Sequence, residues 1–155
     1  MFIIFSKSGK RRGSDGGRIR AACAPLLLLV AALGLTRGQA ANWPHFLGPT
    51  SDGISTETGL LSAWPSSGPK VLWKKQIGTG YSAPAIRDGR LVLFHRVKNE
   101  EIVQAFDVKT AKPLWQHSYP TRYRDPFGYN NGPRCSPILT EKHCFTYGAE
   151  GVLHC

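Results

Sequence analysis

AFDVKTAKPLW, Ala105 to Trp115, decides the fold, because the sequence around it occurs a second time in the chain. SAPAIRDGRLVLF (Ser82 to Phe94) falls on CSPILTEKHCFTY (Cys135 to Tyr147) at an offset of 53 (135 less 82), and EIVQA (Glu101 to Ala105) on GVLHC (Gly151 to Cys155) at 50 (151 less 101). The pair Leu72-Trp73 returns as Leu114-Trp115 after 42 residues (114 less 72), so about eleven extra residues lie between Trp115 and Ser136. A unit near 42 residues has the period of solenoids and propellers.

Within the unit the local pattern is that of strands. RLVLFH (Arg90 to His95), EIVQAF (Glu101 to Phe106), KHCFTYG (Lys142 to Gly148) and GVLHC are short, rich in β-branched and aromatic residues, and bounded by Gly, Asp, Asn or Pro. Such runs read as hairpin strands. Beyond residue 41 no dozen residues keep an apolar stripe at helical spacing, and 11 Pro and 17 Gly punctuate the chain. The expected class is all-β, with four-stranded sheets repeated radially.

Ala105, Asp107, Thr110, Lys112 and Trp115 match the A-x-D-x-x-T-G-K-x-x-W pattern of the pyrroloquinoline-quinone-type (PQQ-like) β-propeller repeat, with Ala111 where that family usually has Gly. Trp43 to Ser55, WPHFLGPTSDGIS, resembles the W-P-x-F-R-G-P-x-x-x-G opening of secreted bacterial propellers of this kind, with Leu47 in place of Arg. The resemblance implies a ring of seven or eight four-stranded blades in which Trp side chains, here Trp73 and Trp115, dock between neighbours. Ala111 sets a test for the local turn, since Gly there would take a positive φ without steric cost.

Residues 1–40 belong to another regime. Lys7, Lys10, Arg11, Arg12, Arg18, Arg20 and Arg37, against the single acid Asp15, surround the apolar run Ala24 to Leu35, which leads to the small-x-small site Gly38-Gln39-Ala40. This resembles a secretory signal peptide, and the run is too short for a spanning helix of ~20 residues. The expected organisation is a signal peptide over 1–40, a lead-in segment over 41–70 and partial propeller repeats over 71–155. Localisation then follows as export to the periplasm or cell envelope, with no transmembrane segment after cleavage.

Removing the leader changes what the charge means. The chain carries +10, but 13 basic groups (20 less 7) face 9 acids (10 less 1) after residue 40, a balance of +4. No basic helix or Lys/Arg run remains there, and the aromatics fall on strands, which argues against nucleic acid as a partner. At about 42 residues per unit, residues 41–155 supply one blade and the first part of a second. Because blades bury their faces against neighbours, the sequence predicts a truncated chain that closes no ring and, tested as 41–155 alone, aggregates or melts without cooperativity.

The later cysteines, Cys135, Cys144 and Cys155, form no C-x-x-C or haem signature. Two hairpin registers are open. A two-residue turn at Ala149-Glu150 sets Cys144 opposite Cys155, whereas a left-handed Gly151 shifts the register by one and separates them; the glycine favours the second. His143-Cys144 and His154-Cys155 do not chelate as dipeptides, since adjacent strand residues point to opposite faces, and no metal site is expected. Gly78 to Ala83 fits G-x-G-x-x-A after an apparent strand Val71 to Ile77, but Pro84 and a following strand forbid the helix a dinucleotide site needs.

The inserted segment Tyr119 to Arg134, YPTRYRDPFGYNNGPR, is the place for function, on one face with the hairpin loop Arg96 to Glu101. Its aromatics mixed with Arg, Asp and Asn suit a polar ligand needing a flat apolar surface, and Tyr123, Asp125, Tyr129, Asn131 and Arg134 are the candidate ligand residues. The alternative is a structural flap covering the blade edge.

Two functions remain. One is a non-catalytic binding or scaffolding propeller of the cell envelope, comparable to the factor that assists insertion of outer-membrane β-barrels, with envelope proteins or a small polar ligand as partners. The other, which the resemblance also allows, is a quinoprotein dehydrogenase oxidising an alcohol or sugar with pyrroloquinoline quinone. That class needs an acidic general base, oxygen ligands for calcium and, in many members, an adjacent Cys-Cys pair. The sequence supplies no such set, so no catalytic residue and no cofactor is assigned and the binding protein leads.

Overall fold

Asp88 and Gly89 carry φ of 49° and 75°, the left-handed pair that a two-residue hairpin turn requires, and they fold β1 (Ala85–Arg87) onto β2 (Arg90–Val97). These are features of a computed structural model that describes residues 41–155; the signal peptide expected over 1–40 lies outside the described residues. Lys98, with φ of 54°, turns β2 into β3 (Glu100–Asp107), and β3 pairs with β4 (Pro113–Pro120), giving a four-stranded antiparallel meander in chain order. A second sheet follows in the same order, from β5 (Ile138–Leu139) through β6 (Cys144–Tyr147) to β7 (Leu153–His154). Both sheets therefore run in chain order, one of four strands and one of three. Every described element is a strand, so the fold is all-β, and neither sheet closes on itself. Among the described residues no helix is long and apolar enough to cross a membrane.

The run Leu91 to Arg96 is buried throughout, although a half-buried strand would alternate. Its cause is that β2 is covered on both faces. Ala85, Val92, Phe94, Val103 and Ala105 pack on one side with Leu139 of the second sheet. Leu91, Leu93, Phe106 and Val108 pack on the other with Trp73 and Ile86. Each large apolar side chain so buried contributes roughly 1.5–3 kcal/mol, against about 1–2 kcal/mol of backbone entropy per ordered residue.

The repeat motif acquires physical roles here. Ala105 is wholly buried opposite Trp115 and packs in the first core with Ala85, Val92, Val103 and Leu139. Asp107 Oδ1 accepts from Lys109 N, Thr110 N and Thr110 Oγ1 at 3.1, 2.8 and 2.7 Å, clamping the β3–β4 turn. Lys112 serves through its backbone, whose carbonyl accepts from Asp107 N. Ala111 takes a φ of 59°, so the turn forms in its left-handed geometry with alanine in the place where the repeat pattern has glycine. Trp73 Nε1 donates to the Val108 carbonyl at 3.0 Å while its ring covers the second core.

The lead-in segment seals an edge. Trp43 exchanges two backbone hydrogen bonds with Ile86 of β1, and the Pro44 carbonyl accepts from Leu139 N, tying the two sheets to one strap. Gly48, at φ 75°, passes under the Trp43 indole so closely that a Cβ would meet the ring at 2.8 Å.

Two expectations need correction. Val71 to Ile77 is not among the described strands; the segment is held by the Trp73 indole and, just beyond it, by the Thr79 bridge to Arg96. Trp115 does not sit in a closed slot. It lies on edge strand β4, 42% exposed, over a cleft lined by Val92, Leu139, His143 and Cys144.

Candidate functional site

At one end of the first sheet the β2–β3 turn meets the inserted segment between β4 and β5. The two are joined by hydrogen bonds: Thr121 N donates to the Asn99 carbonyl at 2.8 Å. Arg96 Nη1 donates to the carbonyls of Tyr123 and Asn131 at 2.7 and 2.8 Å, Nε to that of Lys98 at 2.7 Å, and Nη2 to Asn99 Oδ1 at 3.3 Å. Arg96 is only 7% exposed, so it is a nail through both loops. Gly78 allows the third loop to arrive, because a Cβ there would run into the Arg96 carbonyl. Thr79 then pairs with Arg96 through two backbone hydrogen bonds of 2.8 Å. The glycine pattern at Gly78 to Ala83 therefore reflects close backbone approach, and a strand rather than a helix follows it.

Between these loops lies a cavity of about 800 Å³. Arg96, Lys98, Arg122 and Arg124 line it together with Thr79 and Asn99, and no carboxylate is among its lining residues.

The five candidate ligand residues are brought into one loop, but most are turned to holding it. Asp125 is buried, and its carboxylate accepts from the backbone of Phe127, Tyr129 and Asn130 at 3.2, 3.0 and 3.0 Å. Those donors, the Asn130 amide first, hold its carboxyl below the usual range, with the Arg134 guanidinium at 3.3 Å adding to the effect. Asn131 Oδ1 accepts from Asp125 N at 2.7 Å, and the residue also lines the cavity. Arg134 lies over the rings of Tyr123 and Tyr81, 5.3 and 6.0 Å from their centroids. Tyr129 and Phe127, both 78% exposed, stack on each other and point to solvent, so these two do not cover the sheet edge. Asp125, Arg134 and Tyr123 form the scaffold of the insert, and Asn131 alone of the five lines the cavity.

No protein-family model and no curated protein matches this chain. Function has to be argued from the geometry.

Sequence reasoning passed over Arg96 and Glu101. Glu101, 1% exposed, accepts from Tyr119 Oη at 2.6 Å and from Ala149 N at 2.9 Å, linking the first sheet to the turn of the second. Burial first, then this carboxylate, pushes the Tyr119 hydroxyl far above its ordinary range and keeps it a donor. The signal was present: Glu101, Val103 and Ala105 alternate onto one face, so a charge stands in an apolar row.

A second cavity, of about 570 Å³, lies between the sheets below Trp115 and is lined by His117, His143, Cys144, His154 and Cys155. Gly151 takes φ 84° and Thr146 faces His154, which is the shifted register, and Cys135, Cys144 and Cys155 are all free thiols. Burial, then the neighbouring Cys155, raises the Cys144 thiol to about 11. Such a thiol is a poor nucleophile at neutral pH. Among the described residues no group of three or more His, Cys, Asp or Glu is placed to hold a metal ion.

Proposed function

We propose that this chain is part of a non-catalytic β-propeller built from PQQ-like repeats, exported to the cell envelope, that binds or scaffolds other molecules through the loop end carrying the inserted segment. The observation that carries the reading is Trp73. It occupies the Trp position of one repeat and donates its indole N–H to Val108, inside the Asp107 turn of the next. A tryptophan from the segment ahead of the first sheet, packed on that sheet's β3–β4 turn, supports docking between neighbouring blades, as does a second sheet that runs in the same chain order as the first. The loop end supports the binding half of the reading, because an insert beyond the repeat is fixed there around a polar cavity rather than left loose.

The dehydrogenase alternative is separated by assay. Protein purified from its host envelope, supplied with pyrroloquinoline quinone and calcium, is expected to show no quinone-dependent reduction of an artificial electron acceptor by alcohols or sugars. Quinone-dependent turnover would replace the binding reading with the enzymatic one.

A further inference from the structure

We infer that the cavity at the loop end is an anion site for a small phosphorylated sugar-like molecule. The inference rests on reading this end as the binding face, but not on the number of blades.

Arg96 is the first ground. A guanidinium has five N–H donors. Nε, both Nη1 hydrogens and one on Nη2 are used on Lys98, Tyr123, Asn131 and Asn99, leaving one Nη2 hydrogen without an acceptor among the described residues. More important, all these partners are neutral. No carboxylate among the described residues lies within ion-pair distance of this buried charge. Its cross-strand neighbour Glu101 is committed to Tyr119 and Ala149 instead. A buried charge left unpaired is costly, and an anion entering the cavity would pair it.

The company Arg96 keeps is the second ground. Lys98, Arg122 and Arg124 line the same space, so four cations surround it without a lining acid. Two acids come near without lining it: Glu150, whose Oε1 accepts from the Arg122 amide at 3.1 Å, and Glu100, which pairs with Val97 and Pro120 at the start of β3. Residues 41–155 carry a balance of only +4, so this grouping concentrates positive charge locally.

Size and lining select among anions. The cavity, at about 800 Å³, falls in the range of small-molecule sites and far exceeds one inorganic ion. The exposed Thr79 hydroxyl and the amide nitrogen of Asn99 supply neutral groups of the kind that hydroxyls need, next to the cations that phosphoryl oxygens need, while the Thr121 hydroxyl is buried and accepts from Tyr123 N. The same chemistry is carried by a soluble sugar phosphate and by the headgroup of a phosphorylated glycolipid.

The test is calorimetric titration of the full chain with glucose 1,6-bisphosphate, with glucose as the uncharged control, and a sedimentation assay with phosphatidylethanolamine vesicles containing lipid A. Binding of the bisphosphate but not of glucose supports a soluble ligand, and binding of the lipid A vesicles alone supports the headgroup. In either case Arg122→Gln with Arg124→Gln, both exposed and outside the core, should weaken binding by about tenfold or more. Lys109→Gln with Lys112→Gln removes equal charge at the opposite end of the sheet and should leave it unchanged. Equal weakening by both pairs would mean general electrostatics and overturn the site. Glucose binding as well as its bisphosphate would keep the binding face and overturn the anion. No binding by sugar, bisphosphate or vesicles would overturn the binding face itself.

Discussion

Replacing Ala111 with glycine should stabilise the protein, an unusual outcome for removing a methyl group. Ala111 sits at φ 59° in the β3–β4 turn, held there by its own N–H to the Asp107 carbonyl at 2.9 Å. A non-glycine residue in that conformation is strained by roughly 1–2 kcal/mol. Glycine removes the strain but gives back about 0.4–1 kcal/mol through the greater freedom of the unfolded chain. The difference is a net gain of about 0.5–1 kcal/mol. The measurement is urea unfolding of the full chain by tryptophan fluorescence on the monomeric fraction, comparing midpoints at constant slope. Ala149, whose φ is not positive, is the control: glycine there should lower the midpoint. A midpoint unchanged or lowered by Ala111→Gly would refute the left-handed turn and with it the match to the repeat motif.

Trp115→Ala should cost about 1–2 kcal/mol, below the ~3–5 kcal/mol of a fully buried aromatic, because the ring is already partly exposed; thermal unfolding against Trp73→Ala, expected to cost more, checks this. Tyr119→Phe leaves the buried Glu101 carboxylate with one donor fewer and should destabilise by roughly 1–3 kcal/mol, read from the same unfolding curves. Asp125 has a depressed folded-state pKa, so its contribution is present above its ordinary value of 3.8 and is lost as pH falls through the lower folded value. Pepsin cleavage in the Pro126 to Gly132 loop should therefore accelerate sharply below that pH, and Asp125→Asn should cleave rapidly already above it. Towards iodoacetamide, Cys135 should react at neutral pH while Cys144 stays slow until the pH nears its raised value of about 11, as mass spectrometry of labelled peptides would show.

The strands were legible in the sequence because turn chemistry announces them. Asp88-Gly89 and the Asp107–Thr110 pair bracket runs of β-branched and aromatic residues, and the 53-residue offset carries β1 and β2 onto β5 and β6. Val71 to Ile77 is the exception for a physical reason: a strand is completed by its neighbour's hydrogen bonds, and local composition does not report whether a neighbour exists. The insert was recognised as special, yet its residues were sorted by chemical type. Asp125 and Arg134 looked like ligand groups, whereas their polar atoms are used by the loop's own backbone and by each other. The cavity cations come from β2, its turn and the insert, and only the hairpin's return past Thr121 brings them together. Nothing in linear spacing marks that.

The measurement closest to the central claim is an electron cryomicroscopy reconstruction of the protein taken from its host. The account predicts four-stranded antiparallel sheets arranged about a central axis, with the Trp73 indole against the Val108 carbonyl between one repeat and the next. Sheets stacked face to face as a sandwich, or Trp73 turned to solvent, would contradict it.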